Sequence, residues 1–305
     1  MNLSTLIRKT VLAAALTLTA AFLAGAESRS DWKAHWISHP WVQSTTNTWI
    51  SYRKEVNVAK RPDKLVARIA VDSKYWMWIN GELVVFEGGL KRGPFPNGTY
   101  YDRVDIAPFL KEGNNTIAIL LWHFGKQGFS HNSSGQAALI FEAVSPELKI
   151  LSDQSWLCVP NPAYSSTDAP HPNYRLPESN IRFDARKDLQ GWNMPGFDVR
   201  RRMHGADNVD EMAWPAMGEL VERPIPMWKD YGLKEYASVR QSNDTVYCKL
   251  PYNAQITPYL KVEANGGEMV KIMTDNYRGG SENNVRAEYI ARKGVQEYEN
   301  LGWMN

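Results

Sequence analysis

Along much of this chain apolar and polar residues alternate with a two-residue period, the pattern of strands that bury one face. In residues 64–72, Leu65, Ala67, Ile69 and Val71 alternate with Val66, Arg68, Ala70 and Asp72, which predicts a strand there. Residues 75–79 and 82–86 flank Asn80-Gly81, a two-residue connection that favours a type I′ turn because both residues tolerate positive φ. A β-hairpin is therefore predicted. Side chains alternate across a strand, so Trp76 and Trp78 share one face while Tyr75, Met77 and Ile79 share the other. A segment apolar on both faces is either buried between layers or presents its aromatic side at a binding surface.

Further strands are predicted at 100–106, at 116–122 as an unbroken β-favouring run, and at 136–143. They are separated by the Gly/Pro-rich loop 88–98 and the polar turn 111–115. Turn signals at intervals of roughly 8 to 12 residues indicate an all-β sandwich or jelly roll. Ahead of it, residues 31–52 read as a loop carrying Trp32, Trp36, Trp41 and Trp49. Prolines from Pro160 to Pro226 interrupt any long element and suggest extended chain laid over the sandwich. A second β unit begins near Tyr236, with strands expected at 254–263, 269–274, 286–290 and 296–303. Its few strands fall short of a closed sandwich.

The expected organisation is thus a signal peptide at 1–26, a jelly-roll, galactose-binding-like β-sandwich at 27–158, a Pro-rich extended segment at 159–235, and an incomplete second β-sandwich at 236–305. The signal peptide rests on Arg8-Lys9, the uncharged run 10–23 and Ala24-Gly25-Ala26 before Glu27. The apolar run is shorter than the about 20 residues that span a bilayer, so export to the periplasm or cell exterior is expected, with no membrane attachment after cleavage.

Composition changes this picture in a few respects. The formal charge of +2 and the scattered basic residues make nucleic acid an unlikely partner class. Cys158 and Cys248 are the only cysteines. An oxidising compartment would permit a bridge between them, and two separate thiols suit a domain of this size equally well. Twelve tryptophans and fourteen tyrosines suit sugar stacking, although such rings also fill β-sandwich cores.

Motif order adds a resemblance. Ala67-Arg68-Ile69, Trp78-Ile79-Asn80-Gly81, Tyr101-Asp102 and the run 110–117 resemble the sugar-binding-like jelly roll at the front of many glycosidases. The continuation narrows it: Phe183-Asp184-Ala185-Arg186 with Gly191-Trp192, then Arg223-Pro224-Ile225-Pro226, then Ala287-Glu288-Tyr289-Ile290 with Gln296-Glu297-Tyr298-Glu299. Together these are similar to the N-terminal β domains of bacterial α-L-rhamnosidases. The resemblance implies an inverting glycoside hydrolase acting on rhamnose-containing oligo- or polysaccharide, with two carboxylates on a downstream (α/α)6 barrel. It also implies that this chain is the non-catalytic front part, ending before that barrel, with a structural or sugar-binding support role. A stand-alone carbohydrate-binding protein is the alternative.

No other chemistry is supported. His35 and His39 stand four apart without the Glu of a zinc-protease helix, and there is no nucleophile elbow, phosphate-binding glycine loop or Cys-x-x-Cys. No metal, cofactor or catalytic residue is therefore expected. The acids Glu82, Glu87, Asp102, Asp105 and Glu142 fall in or beside the first sandwich and are expected on solvated faces. The carbohydrate-binding candidates are Trp76, Trp78, Tyr100, Tyr101, Trp122 and His123, for ring faces with hydrogen-bonding groups nearby.

Overall fold

The computed structural model describes residues 26–27, 31–90, 93, 98–127, 131–167, 181–200, 202–210, 218–252, 254, 256–273 and 285–299. The expected signal peptide lies outside them except for Ala26, as do residues 300–303 of the last expected strand. Among the described residues there is no α-helix, and a short 3-10 turn covers Ala107–Phe109.

Two sheets face each other. One has six strands in the spatial order His204–Gly205, Leu157–Pro160, Thr48–Val58, Gly113–His123, Lys74–Ile79 and Glu82–Gly88, all antiparallel. The other runs Ala26–Glu27, Glu219–Glu222, Gly98–Asp105, Val66–Val71, Leu139–Val144, Ile37–Ser38 and Asp207–Asn208, with Lys149–Leu151 as an eighth strand on Leu139–Val144. The predicted alternation decides which residues meet between the sheets. Ala67, Ile69 and Val71 of one sheet pack with Tyr75, Met77, Ile79, Ile117, Ile119 and Leu121 of the other in the main core.

The hairpin forms as predicted. Ile79 pairs with Glu82, and Asn80 and Gly81 take φ of 55° and 86°, the left-handed values a type I′ turn needs at both positions. The longest departure from the sequence reading is Thr48–Val58, expected as loop up to Tyr52. It pairs residue for residue with Gly113–His123 through the middle of the six-stranded sheet. Its charged run Arg53-Lys54-Glu55 hides the strand period, yet Ile50, Tyr52 and Val58 line the core. Arg53 itself is buried, and both of its terminal nitrogens are paired. One terminal nitrogen donates to the carbonyls of Trp192 at 2.6 Å and Met194 at 2.7 Å, and the other donates to Glu55.

Residues 159–235 do more than lie over the sandwich. Residues 204–208 close its edge, with His204–Gly205 on one sheet and Asp207–Asn208 on the other, and Glu219–Glu222 joins the eight-stranded sheet parallel to Gly98–Asp105. Tyr164–Ser166 and Ile181–Asp184 instead continue into the later β unit, forming a four-stranded sheet with Val285–Ile290 and Met269–Met273. A two-stranded sheet of Tyr259–Ala264 and Gly294–Glu299 completes that unit, around the stacked rings of Phe183, Tyr289 and Tyr298. The hairpin Ser238–Ser242 and Thr245–Lys249 is mostly exposed on both faces.

Cys158 and Cys248 are unbridged: Cys158 is buried between strands, where desolvation pushes its thiol up to about 12, and Cys248 is exposed on that hairpin.

Candidate functional site

The outer face of the six-stranded sheet carries the aromatic side chains that the strand period had grouped. Thr48–Val58 and Gly113–His123 set Trp49 opposite Trp122. Their rings stack at 4.4 Å with an interplanar angle of 13°. Trp76 extends the stack at 5.6 Å from Trp49, and Tyr164 lies flat on Trp49 at 4.1 Å. The Trp122 indole N–H donates to Asn47 Oδ1 at 2.8 Å. Ile181, Leu189 and Trp192 cover the face, and Trp78 meets Trp192 edge to face at 5.7 Å. Trp76 and Trp122 therefore have no ring face open to a ligand, and Trp78 is half-buried.

The remaining candidates lie elsewhere. Tyr101 is buried on the far side of the eight-stranded sheet, edge-on to Trp32 at 5.3 Å, while Tyr100 beside it is half-buried. His123 is fully buried at the end of its strand. Its Nδ1 lies 3.2 Å from the Asp72 carbonyl and 3.5 Å from the Asp72 carboxylate. The structure thus divides the six residues between three neighbourhoods, and the aromatic ones serve mainly as filler between layers.

Glu87, Asp102 and Glu142, expected on solvated faces, prove to be interior anchors, as does Asp72, while Asp105 is exposed as expected. Asp72 accepts hydrogen bonds from the Ser134 N–H at 2.6 Å, the Ser134 hydroxyl at 2.5 Å and the Ser73 hydroxyl at 2.5 Å. Burial pushes its pKa upward, but the bonds from His123, Ser134 and Ser73 outweigh that effect and hold it below the usual aspartate value. Asp102 accepts from the Tyr75 hydroxyl at 2.9 Å, the Gly89 N–H at 2.8 Å and the Arg223 guanidinium. Glu87 pairs with Lys74 in the interior, and Glu142 accepts from the Lys33 and Ala34 backbone and from Arg68. Sequence position alone does not separate these acids from surface ones: Arg223 and Arg68 reach Asp102 and Glu142 from distant strands, and Lys74 meets Glu87 across the hairpin. Glu82 is exposed as expected.

One surface feature stands apart. Trp41, noted in the sequence only as part of an aromatic-rich loop, is 72% exposed and neighbours His39 and His204. Among the described residues, no group of three or more His, Cys, Asp or Glu side chains is placed to hold a metal ion.

No protein-family model matches the chain. The chain is 22% identical over 298 residues to an α-L-rhamnosidase of Alteromonas sp. (strain LOR), covering 88% of this chain and 31% of that protein. Among solved structures it is similar to α-L-rhamnosidase from Dictyoglumus thermophilum, with a TM-score of 0.64, 21% identity, and coverage of 90% of this chain and 33% of that one. The α-L-rhamnosidase of Aspergillus terreus gives 0.63 and 19%, covering 88% and 32%. That of Streptomyces avermitilis, solved with L-rhamnose, gives 0.61 and 18%, covering 85% and 26%. The chain spans about a third of the length of the Alteromonas, Dictyoglumus and Aspergillus proteins and about a quarter of the Streptomyces one. Over that part, it is similar in sequence to an α-L-rhamnosidase and has the fold of the N-terminal β domains of α-L-rhamnosidases.

Proposed function

We propose that this chain is the non-catalytic β part of an exported α-L-rhamnosidase-like glycoside hydrolase, supporting a catalytic (α/α)6 domain that acts on rhamnose-containing glycans. The observation that carries this reading is similarity along 88% of the chain to 31% of an α-L-rhamnosidase. The interior chemistry fits a supporting role. An inverting glycosidase needs one carboxylic acid held protonated and a second carboxylate across a water-filled gap. Here Asp102, Glu87 and Glu142 are instead each tied to a cation, and Asp72 is held below the usual range by hydrogen bonds. Such acids hold loops and strands together.

The reading frame downstream of the codon for Asn305 tests the proposal. An open frame encoding successive helical hairpins is the expected result. A stop codon directly after Asn305 in the natural transcript would contradict it and favour a stand-alone carbohydrate-binding protein.

A further inference from the structure

Trp41 is the most exposed tryptophan among the described residues, at 72% against 45% for Trp228. It sits on a seam of the sandwich. His39 and Trp41 follow the strand Ile37–Ser38 of the eight-stranded sheet, and His204 lies on the edge strand of the six-stranded sheet. Asp207 begins the strand that returns to Ser38, so residues 204–208 carry the chain from one sheet to the other directly beside the indole.

The local geometry holds Trp41 outward. His204 approaches its ring at 5.0 Å with an interplanar angle of 64°, and His39 at 5.4 Å and 75°. Both imidazoles brace the indole at steep angles, and among the described residues no ring lies flat on it. The Trp41 backbone N–H donates to His39 Nδ1 at 3.3 Å. Because Nδ1 accepts, the ring proton sits on Nε2, and burial and the neighbouring His204 lower the His39 pKa against the opposing charge of Asp207. His39 Nε2 is buried and meets no hydrogen-bond acceptor among the described residues. An exposed indole and an exposed imidazole thus meet on one patch, and the half-buried Asp207 carboxylate lies near enough to His39 to act on its charge.

We propose that Trp41, His204 and Asp207 form a saccharide-binding subsite on the seam of the sandwich, with His39 as the residue that positions Trp41. A pyranose ring has an apolar C–H face and a rim of hydroxyls that both donate and accept. The C–H face stacks on the indole, burying apolar area from both partners. The hydroxyls pair with the His204 ring nitrogens and donate to the Asp207 carboxylate. A cationic ligand would find a histidine pair here rather than an acidic cluster, and an apolar ligand would leave the imidazole and carboxylate unused. The choice of a rhamnoside as ligand rests on the proposed function; the site itself does not.

The test is a titration of the full chain with methyl α-L-rhamnoside, with methyl α-D-glucoside as a second probe, followed by the indole N–H signals in two-dimensional NMR. The Trp41 signal, assigned through Trp41→Phe, is expected to shift with saturation. Trp41→Ala should weaken binding by about tenfold or more, a loss of ~1.4 kcal/mol, with thermal stability unchanged, and His204→Ala should weaken it less. Trp228→Ala should bind as the parent does. Binding that persists at full strength in Trp41→Ala overturns the site while leaving a sugar-binding role intact. A Trp41 signal unmoved by either sugar overturns the site altogether. A shift with the glucoside but none with the rhamnoside keeps the site and removes the rhamnose reading.

Discussion

Trp49 and Trp122 stack face to face across two antiparallel strands, their rings 4.4 Å apart and inclined by 13°. The pair is sealed on one side by the sheet and on the other by Tyr164 and the segment that carries Trp192. Its first role is to join the sandwich to its covering layer. Trp122→Ala should therefore cost about 3–5 kcal/mol of folding stability, the range for removing a buried large aromatic, and should lower the denaturant midpoint. A variant that keeps parental stability and loses only sugar affinity would return Trp122 to the binding surface.

Arg223 and Asp102 make a second long-range tie. Arg223 donates to the Asp102 carboxylate through Nε and to the Gly89 carbonyl at 3.0 Å through a terminal nitrogen. Both side chains are buried, and the Tyr75 hydroxyl shares the carboxylate. Removing the cation leaves a buried carboxylate without its counter-charge, which typically costs about 3–5 kcal/mol. Arg223→Ala is expected to destabilise by that order in chemical denaturation. Arg223→Ala combined with Asp102→Asn should recover part of the loss, because the second change removes the uncompensated charge. A double variant no more stable than Arg223→Ala would show that the charge is not the cause.

Asp72 gives the pH dependence. Its carboxyl is held below the ordinary aspartate value, about 3.9, so the folded state binds its proton less readily than the unfolded chain. The stabilisation it supplies is complete above about pH 4 and is lost as pH falls through the depressed folded value. Asp72→Asn should be less stable than the parent at neutral pH, since an amide has one acceptor oxygen and cannot accept from Ser134 at Oδ2 and from the Ser73 hydroxyl at Oδ1 together. The difference in unfolding free energy between the two should shrink as pH drops below 4. A difference that stays constant between pH 7 and pH 3 would exclude the carboxylate's ionisation as the source.

Much of the β architecture could be read from local pattern because it rests on local causes. Asn80 and Gly81 accept the dihedrals of the turn wherever they occur, and the alternation in residues 64–72 places Ala67, Ile69 and Val71 on one face without knowledge of any partner. The split between Trp76 on the outer face and Tyr75 and Met77 on the inner one followed from the same period. What was hidden depends on distant partners. The strand around Arg53 reads as polar until Trp192 and Met194 arrive, 139 and 141 residues later, to accept from its guanidinium. Asp102 and Glu142 resemble surface acids until Arg223 and Arg68 meet them. Trp41 is not legible as a site in the sequence because its exposure and its His204 neighbour come from closure of the sandwich edge, which no local spacing encodes.

We propose that these β sheets support glycoside hydrolysis without performing it. Incubation of the purified chain with an aryl α-L-rhamnoside, followed by release of the phenolate across pH 4 to 8, tests it most directly. The expected result is release no faster than in buffer alone. Release proportional to protein concentration and abolished by heat denaturation would contradict the claim and place catalytic acids within these sheets.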